Sequence, residues 1–186
     1  MRYNHIRKMD ISNGEGIGIA LFVQGCHFHC KGCFNQETWN FNGGKEWTES
    51  IKKQFLDLAD KPYIKRVSIL GGEPLCNENV QEVENLIYDV RKRYCDKSIW
   101  IYTGYSVKES MLDTLTGLCG TKDKYSVSRF NCIINADIVV DGRFDIEKQD
   151  LFNKEIIWAG STNQHIIDVK KTLCVNWNNI IEKPRL

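Results

Sequence analysis

The sequence lacks long apolar runs, a leading apolar segment and blocks of like charge. No stretch approaches the roughly 18 apolar residues that a membrane-spanning helix needs, and the start, "MRYNHIRKMDISNGEG", has no apolar signal-peptide core. The 25 basic and 24 acidic residues are spread along the chain, which gives no sign of a surface for nucleic acid or lipid. We therefore expect a cytoplasmic protein that binds neither nucleic acid nor a membrane.

The chain also lacks a linker and an internal repeat. It has only 3 prolines in 186 residues, and 42% of its residues are apolar, which is enough for one sizeable core. We expect a single domain over residues 1–186, with a cysteine loop at 26–33 and a tail of unknown role from about 174 to 186.

Four β-rich segments each end in a glycine turn, and helical patterns separate them. The segments are "GIALFVQG", "VSILGG", "SIWIYTG" and "DIVVDG". Because strands alternate with helices, we expect an α/β fold with a mostly parallel sheet, whose ligands bind at the carboxyl ends of the strands. A complete eight-fold barrel usually needs about 250 residues, so a partial or open (βα) barrel is expected.

Three helices are predicted from apolar spacing and start signals. One follows a Thr48 cap, one follows Asn79 with Glu82 completing a capping box, and one begins at Ser106 with Glu109 ahead of Met111, Leu112, Leu115 and Leu118. The stretch 121–131 has no clear apolar period and is expected to be a surface loop.

The 8 cysteines divide into a cluster of three and five scattered residues. In a reducing compartment they are expected to be free thiols or metal ligands and not disulfides. The scattered ones are expected to be small buried apolar residues: Cys76, Cys95, Cys119, Cys132 and Cys174.

The three clustered cysteines, Cys26, Cys30 and Cys33, follow the first predicted strand. A zinc-binding interaction module is the alternative from another class of function, but structural zinc normally takes four protein ligands, so zinc would need His27 or His29 in a strained loop. A redox pair of Cys30 and Cys33 would leave Cys26 without a role. A 4Fe-4S cube fits better, because three thiolates can hold three irons and leave the fourth corner free for a small molecule.

The spacing CxxxCxxC after the first strand, with "GGEP" (71–74) after the second, resembles the radical S-adenosylmethionine superfamily. More narrowly, five stretches resemble the activating enzymes of anaerobic ribonucleoside-triphosphate reductase, over residues from about 3 to 173: "NGEGIGIALFVQGC", "CFNQETW", "YTGY", "VVDGRF" and "GSTNQHIID". The activase of pyruvate formate-lyase is an alternative, but it has "DTNG" where this chain has "YTGY".

The resemblance implies a chemistry that the cofactors supply, with no protein general acid or base. The open iron of a single 4Fe-4S cluster would bind S-adenosylmethionine, and an electron would split it into methionine and a 5′-deoxyadenosyl radical. That radical would take a hydrogen from a glycine of the large reductase subunit. With one cluster only, the electron would come from an external donor such as flavodoxin or ferredoxin.

The resemblance also implies site residues. Cys26, Cys30 and Cys33 would hold the cluster. S-adenosylmethionine would be contacted by residues beside the third cysteine and after the second, third and fourth strands: Gly32, Phe34, Gly71, Gly72, Glu73, Pro74, Thr103, Asp141 and Arg143. Gly71 and Gly72 would let the strand end approach the methionyl group, Glu73 would face its ammonium, and Arg143 its carboxylate. Asp141 would bind the ribose or orient Arg143.

Other residues carry weaker expectations. Asn13, Gly14 and Gly16 would shape a loop over the site or remain mobile. This chain has His165 where the reductase activases usually have arginine, so a role for this histidine is not carried over. A groove for the reductase is expected at the open face of the sheet. Aromatic side chains would line that groove or belong to the core: Trp39, Phe41, Trp47 and Tyr105.

Overall fold

A computed structural model describes residues 1–108, 124–149 and 158–175. Within these ranges the chain forms one seven-stranded sheet and four α-helices. The strands are β1 (Arg2–Asp10), β2 (Gly18–Val23), β3 (Lys45–Glu46), β4 (Arg66–Gly71), β5 (Ser98–Tyr102), β6 (Ile138–Asp141) and β7 (His165–Asp168). The helices are α1 (Glu49–Ala59), α2 (Val80–Arg93), α3 (Lys124–Ile134) and α4 (Val169–Val175).

The sheet is open and has a parallel centre. Its strand order is β3-β1-β2-β4-β5-β6-β7. The four predicted strands are β2, β4, β5 and β6, and these neighbours pair in parallel. The edges are antiparallel, because β1 pairs with β2 and β3, and β7 pairs with β6. The α/β class and the open sheet are confirmed, and the edge strands make the sheet mixed.

The central strands are buried on both faces. On one face, alternate residues such as Leu21, Ile69 and Ile101 join a core with α1, α2 and α3. On the opposite face, Phe22, Leu70 and Trp100 form two smaller clusters. The period of two along each strand therefore separates a helix-covered face from a face that is free to build a site.

The helix predictions have mixed outcomes. Thr48 caps α1, and its hydroxyl accepts from the Ile51 N–H at 3.3 Å. The helix α2 follows Asn79 as predicted, but the predicted capping box is wrong. The Asn79 side chain does not cap the helix and instead donates to the carbonyls of Gln24 and Glu73 at 3.0 and 3.1 Å. The helix predicted from Ser106 onward falls almost entirely on residues outside the described ranges.

The surface loop predicted at 121–131 is wrong for its described part, because α3 covers residues 124–134. Ser128, Cys132 and Ile133 are buried there, at helical spacing. The Arg129 guanidinium donates to the Leu75 carbonyl at 2.8 Å. Because Ser128 and Arg129 are polar, the sequence hides the period of the inward face.

The scattered cysteines are not all core residues. Cys76 and Cys132 are buried as predicted, whereas Cys95 and Cys174 are exposed. Cys95 follows the end of α2 and Cys174 lies in the last turn of α4, so neither faces the sheet. Cys119 lies outside the described residues. None of the described helices is both long and apolar enough to cross a bilayer.

A buried ion pair holds the connection between β1 and β2. The Arg66 guanidinium lies 3.0 Å from the Asp10 carboxylate, and both side chains are fully buried. Arg66 also donates to the carbonyls of Asp10, Asn13, Glu15 and Gly16. The loop at 11–17 therefore surrounds the Arg66 guanidinium. These bonds hold the loop in one conformation, whereas the sequence alone did not decide whether the loop is ordered or mobile.

Asp10 is the anion that balances this cation. Burial acts to raise the pKa of Asp10, but hydrogen bonds from Arg66 and Asn13 outweigh burial and hold that pKa below its ordinary value. The stabilisation from the carboxylate is therefore complete above the ordinary carboxyl pKa and is lost as the pH falls through the lowered one.

Replacing Arg66 by methionine tests the importance of the pair. Arg66→Met leaves the buried Asp10 carboxylate with only the part-exposed Arg7 as an ion-pair partner in the described ranges, at 3.0 Å. The free energy of unfolding should therefore fall by about 3–5 kcal/mol in urea titrations at neutral pH. Arg93→Met is the matched control, since Arg93 lies 3.8 Å from Asp57 in an exposed pair and should cost less than about 1 kcal/mol. Equal losses in the two variants would contradict the role of Arg66.

Candidate iron–sulfur site

A cavity of about 390 Å³ lies where the parallel strands end. This volume is within the roughly 300–1,000 Å³ of small-molecule sites. It is lined by the cysteine loop, the strand ends and the segment after β6, including Asn13, Phe22, Cys26, Phe28, Cys30, Cys33, Phe34, Trp39, Leu70, Gly71, Gly72, Glu73, Tyr102, Thr103, Arg143, Phe144 and Trp158. The fold thus gathers the three cysteines and most of the other predicted site residues at one place.

The cysteine loop leaves β2 through Gly25, whose φ of +98° is favourable only for glycine. The Gly25 N–H donates to the Thr38 carbonyl at 2.7 Å, and the Cys26 N–H donates to the Trp39 carbonyl at 3.1 Å. The chain after the loop therefore returns beside its beginning, which closes the loop around the cavity.

The three thiols are half-buried, and the surroundings of two of them disfavour a free thiolate. Burial raises the pKa of Cys26 and Cys30, so these thiols are deprotonated readily only when a metal balances the charge. Among the described residues, no three His, Cys, Asp or Glu side chains converge on a position for a single ion. In a polynuclear centre each thiolate would bind a different iron.

The two loop histidines, which a zinc site would need, have other contacts. His27 Nε2 lies 2.9 Å from Glu78 Oε1. The His29 ring stacks on Trp39, with centroids 4.7 Å apart. Neither contact brings a histidine together with the three thiols, and the donor set therefore fits a cluster better than zinc.

Gly71 and Gly72 lie where β4 meets the cysteine loop. A Cβ on Gly71 would lie 2.7 Å from Phe22 Cα, and a Cβ on Gly72 would lie 2.4 Å from the Gly25 carbonyl oxygen. The Gly72 N–H donates to Val23 at 2.9 Å. Glycine is thus required by packing between backbones, which is a different reason from the predicted approach to a methionyl group.

Glu73 faces the protein and joins two strand ends. The Leu75 N–H and the Thr103 hydroxyl donate to its Oε1 at 2.8 and 2.7 Å, and the Gly104 N–H donates to its Oε2 at 2.7 Å. Burial raises the pKa of Glu73 to about 7, against the lowering effect of these donors. Pro74 follows as a buried residue that does not line the cavity.

The residues after β6 divide between the cavity and the interior. Arg143 lines the cavity, and its Cζ lies 4.4 Å from the Phe28 ring centroid. Asp141 is buried behind the lining. Its carboxylate accepts from the Val107 N–H at 2.8 Å and lies 2.9 Å from His165 Nδ1. Asp141 therefore holds neighbouring backbone and His165, and its contacts do not include Arg143.

The two residues beside Cys33 differ in placement. Phe34 is 65% exposed and lies at the cavity rim, with its ring centroid 5.1 Å from that of Phe144. Gly32 has a φ of +75° and packs against Ile146, outside the cavity lining. Gly32 thus shapes the turn before the third cysteine, and Phe34 is the one that faces the site.

The sequence analysis missed two features of the lining. Tyr102 lies on the same face of β5 as Trp100, which the period of two along "SIWIY" indicates. Its hydroxyl is buried without a hydrogen-bond partner in the described part of the chain. Trp158 packs edge-on against Trp100 at 5.1 Å and has a φ of +74°, which no sequence pattern indicates.

Comparison with known proteins first identifies the class of protein to which this chain belongs. The family model described as a 4Fe-4S single cluster domain matches residues 12–167. This range includes the cysteine loop and every strand except β1, apart from the last residue of β7. The chain therefore belongs to the family of 4Fe-4S single cluster domains.

Similarity to curated proteins then identifies the particular family to which the chain belongs. The chain is 31% identical to the anaerobic ribonucleoside-triphosphate reductase-activating protein of Enterobacteria phage T4, over 89% of this chain and 93% of that protein. It is 32% identical to the protein of that name in Escherichia coli K12, over 88% and 96%. For Vibrio cholerae the identity is 34%, over 89% and 97%. The chain belongs to the family of anaerobic ribonucleoside-triphosphate reductase-activating proteins.

A methyl group at Gly72 tests the contact beneath the cysteine loop. Gly72→Ala places a Cβ against the Gly25 carbonyl, so we expect a loss of about 1–3 kcal/mol in unfolding free energy and reduced iron retention. Gly16→Ala is the control for iron retention: its φ of +71° strains alanine, but its Cβ would meet its nearest atom only at 3.8 Å, and it lies outside the cysteine loop. The iron and sulfide content after anaerobic reconstitution measures how well each variant retains the cluster. Full retention of iron by Gly72→Ala would refute the role of this contact in positioning the cysteine loop.

Proposed function

We propose that this chain activates anaerobic ribonucleoside-triphosphate reductase by forming a glycyl radical on the large reductase subunit. The observation that carries the proposal is the set of three cysteines at one cavity, in a chain of this family. When bound, a 4Fe-4S cluster supplies the electron that splits S-adenosylmethionine into methionine and a 5′-deoxyadenosyl radical, which takes a hydrogen atom from a glycine of the reductase.

The three thiolates would hold three irons and leave the fourth without a protein ligand. Cys26, Cys30 and Cys33 all line the cavity, so that iron would be available there to S-adenosylmethionine. Among the described residues, no fourth cysteine lies in the cavity lining, and burial of Cys76 and Cys132 keeps both thiols in the core.

Arg143 is suited to the methionyl carboxylate. Its side chain is exposed, it lines the cavity, and no carboxylate among the described residues forms an ion pair with it. A guanidinium can bind a carboxylate through two parallel hydrogen bonds. The Phe28 ring beneath Arg143 supports its guanidinium through a cation–π contact.

Glu73 contributes by positioning and not by direct contact. Its carboxylate holds the Thr103 hydroxyl and the Gly104 N–H, which come from the next strand end. These bonds keep the ends of β4 and β5 in register at the cavity that would hold S-adenosylmethionine. Phe22, Leu70 and Trp158 add apolar lining that excludes water from the radical.

The proposal includes two protein partners. The large reductase subunit presents its glycine at the open side of the cavity, and an external donor such as flavodoxin or ferredoxin supplies the electron. The family model describes a single cluster, which supports an external source for that electron. We also propose that the protein is cytoplasmic and that residues 1–186 form one domain.

The direct test is the reaction itself. Anaerobically reconstituted and reduced protein, mixed with S-adenosylmethionine and the reductase subunit, should form 5′-deoxyadenosine, detected by chromatography, and a glycyl radical, detected by electron paramagnetic resonance. Failure to form either product with an intact cluster would rule out the proposed function.

Cysteine variants separate ligands from bystanders. Cys26→Ala, Cys30→Ala and Cys33→Ala should each reduce iron content and bring product formation to background, because an iron loses its thiolate. Cys95→Ala and Cys174→Ala are matched controls at exposed positions and should retain both. Normal activity in any of the first three variants would contradict the ligand assignment.

A further inference from the structure

Trp39 is attached to the cysteine loop through both its backbone and its side chain. Its carbonyl accepts from the Cys26 N–H at 3.1 Å. Its indole stacks on His29, with centroids 4.7 Å apart and an angle of 19° between the planes. The residue lines the same cavity as Cys26, Cys30 and Cys33. The indole is therefore held in the wall of the cavity that the three cysteines line.

The indole N–H lacks an acceptor. Trp39 Nε1 is buried, and no hydrogen-bond partner for it exists among residues 1–108, 124–149 and 158–175. An indole nitrogen can only donate, and buried donors in proteins nearly always find a partner. Trp39 forms part of the wall of a ligand cavity, and its donor, unpaired within the described ranges, therefore points to an acceptor that is added when the ligand binds.

The acceptor that the loop brings to this place is sulfur. Cluster-bound thiolates and sulfides carry negative charge, and hydrogen bonds to them are among the features that set the potential of an iron–sulfur cluster. We propose that Trp39 Nε1 donates a hydrogen bond to a sulfur of the cluster and thereby raises its reduction potential. Reduction adds negative charge, so the donor stabilises the reduced state more than the oxidised one.

Trp47 provides a comparison, because it has a similar indole N–H, unpaired within the described ranges, at a different place in the fold. Its Nε1 is also buried without a partner in the described residues. However, its ring packs edge-on against Tyr3 and Phe55, at 5.7 and 5.9 Å, and it does not line the cavity. The same substitution at Trp47 therefore removes an equivalent donor that has no cluster beside it.

The experiment compares Trp39→Phe with Trp47→Phe, both loaded with the cluster and without S-adenosylmethionine. Loss of one hydrogen bond should make reduction about fivefold less favourable. This lowers the midpoint potential by about 40 mV, at 59 mV per tenfold for one electron. Trp47→Phe should leave the potential unchanged. An unchanged potential in Trp39→Phe, or equal shifts in both variants, would overturn the proposal.

A spectroscopic measurement locates the donor directly. With ¹⁵N-indole tryptophan, pulsed electron paramagnetic resonance of the reduced cluster should show a ¹⁵N coupling that Trp39→Phe removes and Trp47→Phe retains. A coupling that persists in Trp39→Phe, or one that is absent from the parent protein, would contradict the contact. An effect that Trp39→Phe shows only after S-adenosylmethionine is added would also contradict it, because the donor would then face that molecule.

Two controls keep the result interpretable. If Trp39→Phe does not retain iron, benzothienylalanine at position 39 preserves the ring shape without the N–H, and the same potential shift is expected. The inference rests on the proposed assignment of the cluster to the three cysteines. A parent protein that binds no cluster would refute that assignment and this inference with it, whereas a loaded, active parent whose potential is insensitive to Trp39→Phe would refute only the inference.

Discussion

The site depends on one backbone junction between neighbouring strands. Where β2 ends, the Gly25 carbonyl accepts from the Glu73 N–H at 2.7 Å, and the Val23 carbonyl accepts from the Gly72 N–H at 2.9 Å. Gly25 and Gly72 touch closely enough to exclude a side chain at position 72. The first cysteine follows directly after this junction, so the cluster loop and the "GGEP" turn are positioned by the same two hydrogen bonds.

The centre of the fold was predictable from local sequence, and its edges were not. β2, β4, β5 and β6 are runs of buried residues with glycine near their ends, which is a strong signal because both of their faces are covered. β1 is mostly polar and half-exposed, so its sequence carries little apolar pattern. The helix α3 was missed because polar residues occupy part of its buried face.

The candidate site shows a similar division. Spacing and resemblance located residues that the fold does bring to the cavity, such as the three cysteines, Thr103 and Arg143. Side-chain partners could not be predicted in this way, because they come from distant parts of the chain. Arg66 binds a loop more than fifty residues earlier, while Glu73 and Asp141 turn toward buried backbone. Such contacts depend on three-dimensional packing, and no local spacing encodes them.

The central claim is that three cysteines leave one iron open for S-adenosylmethionine. Electron–nuclear double resonance of the reduced cluster, with S-adenosylmethionine labelled by ¹⁵N at the amino group and ¹⁷O at the carboxylate, tests it most directly. The account predicts hyperfine coupling from both labels. A cluster that binds iron fully but couples to neither label would contradict it.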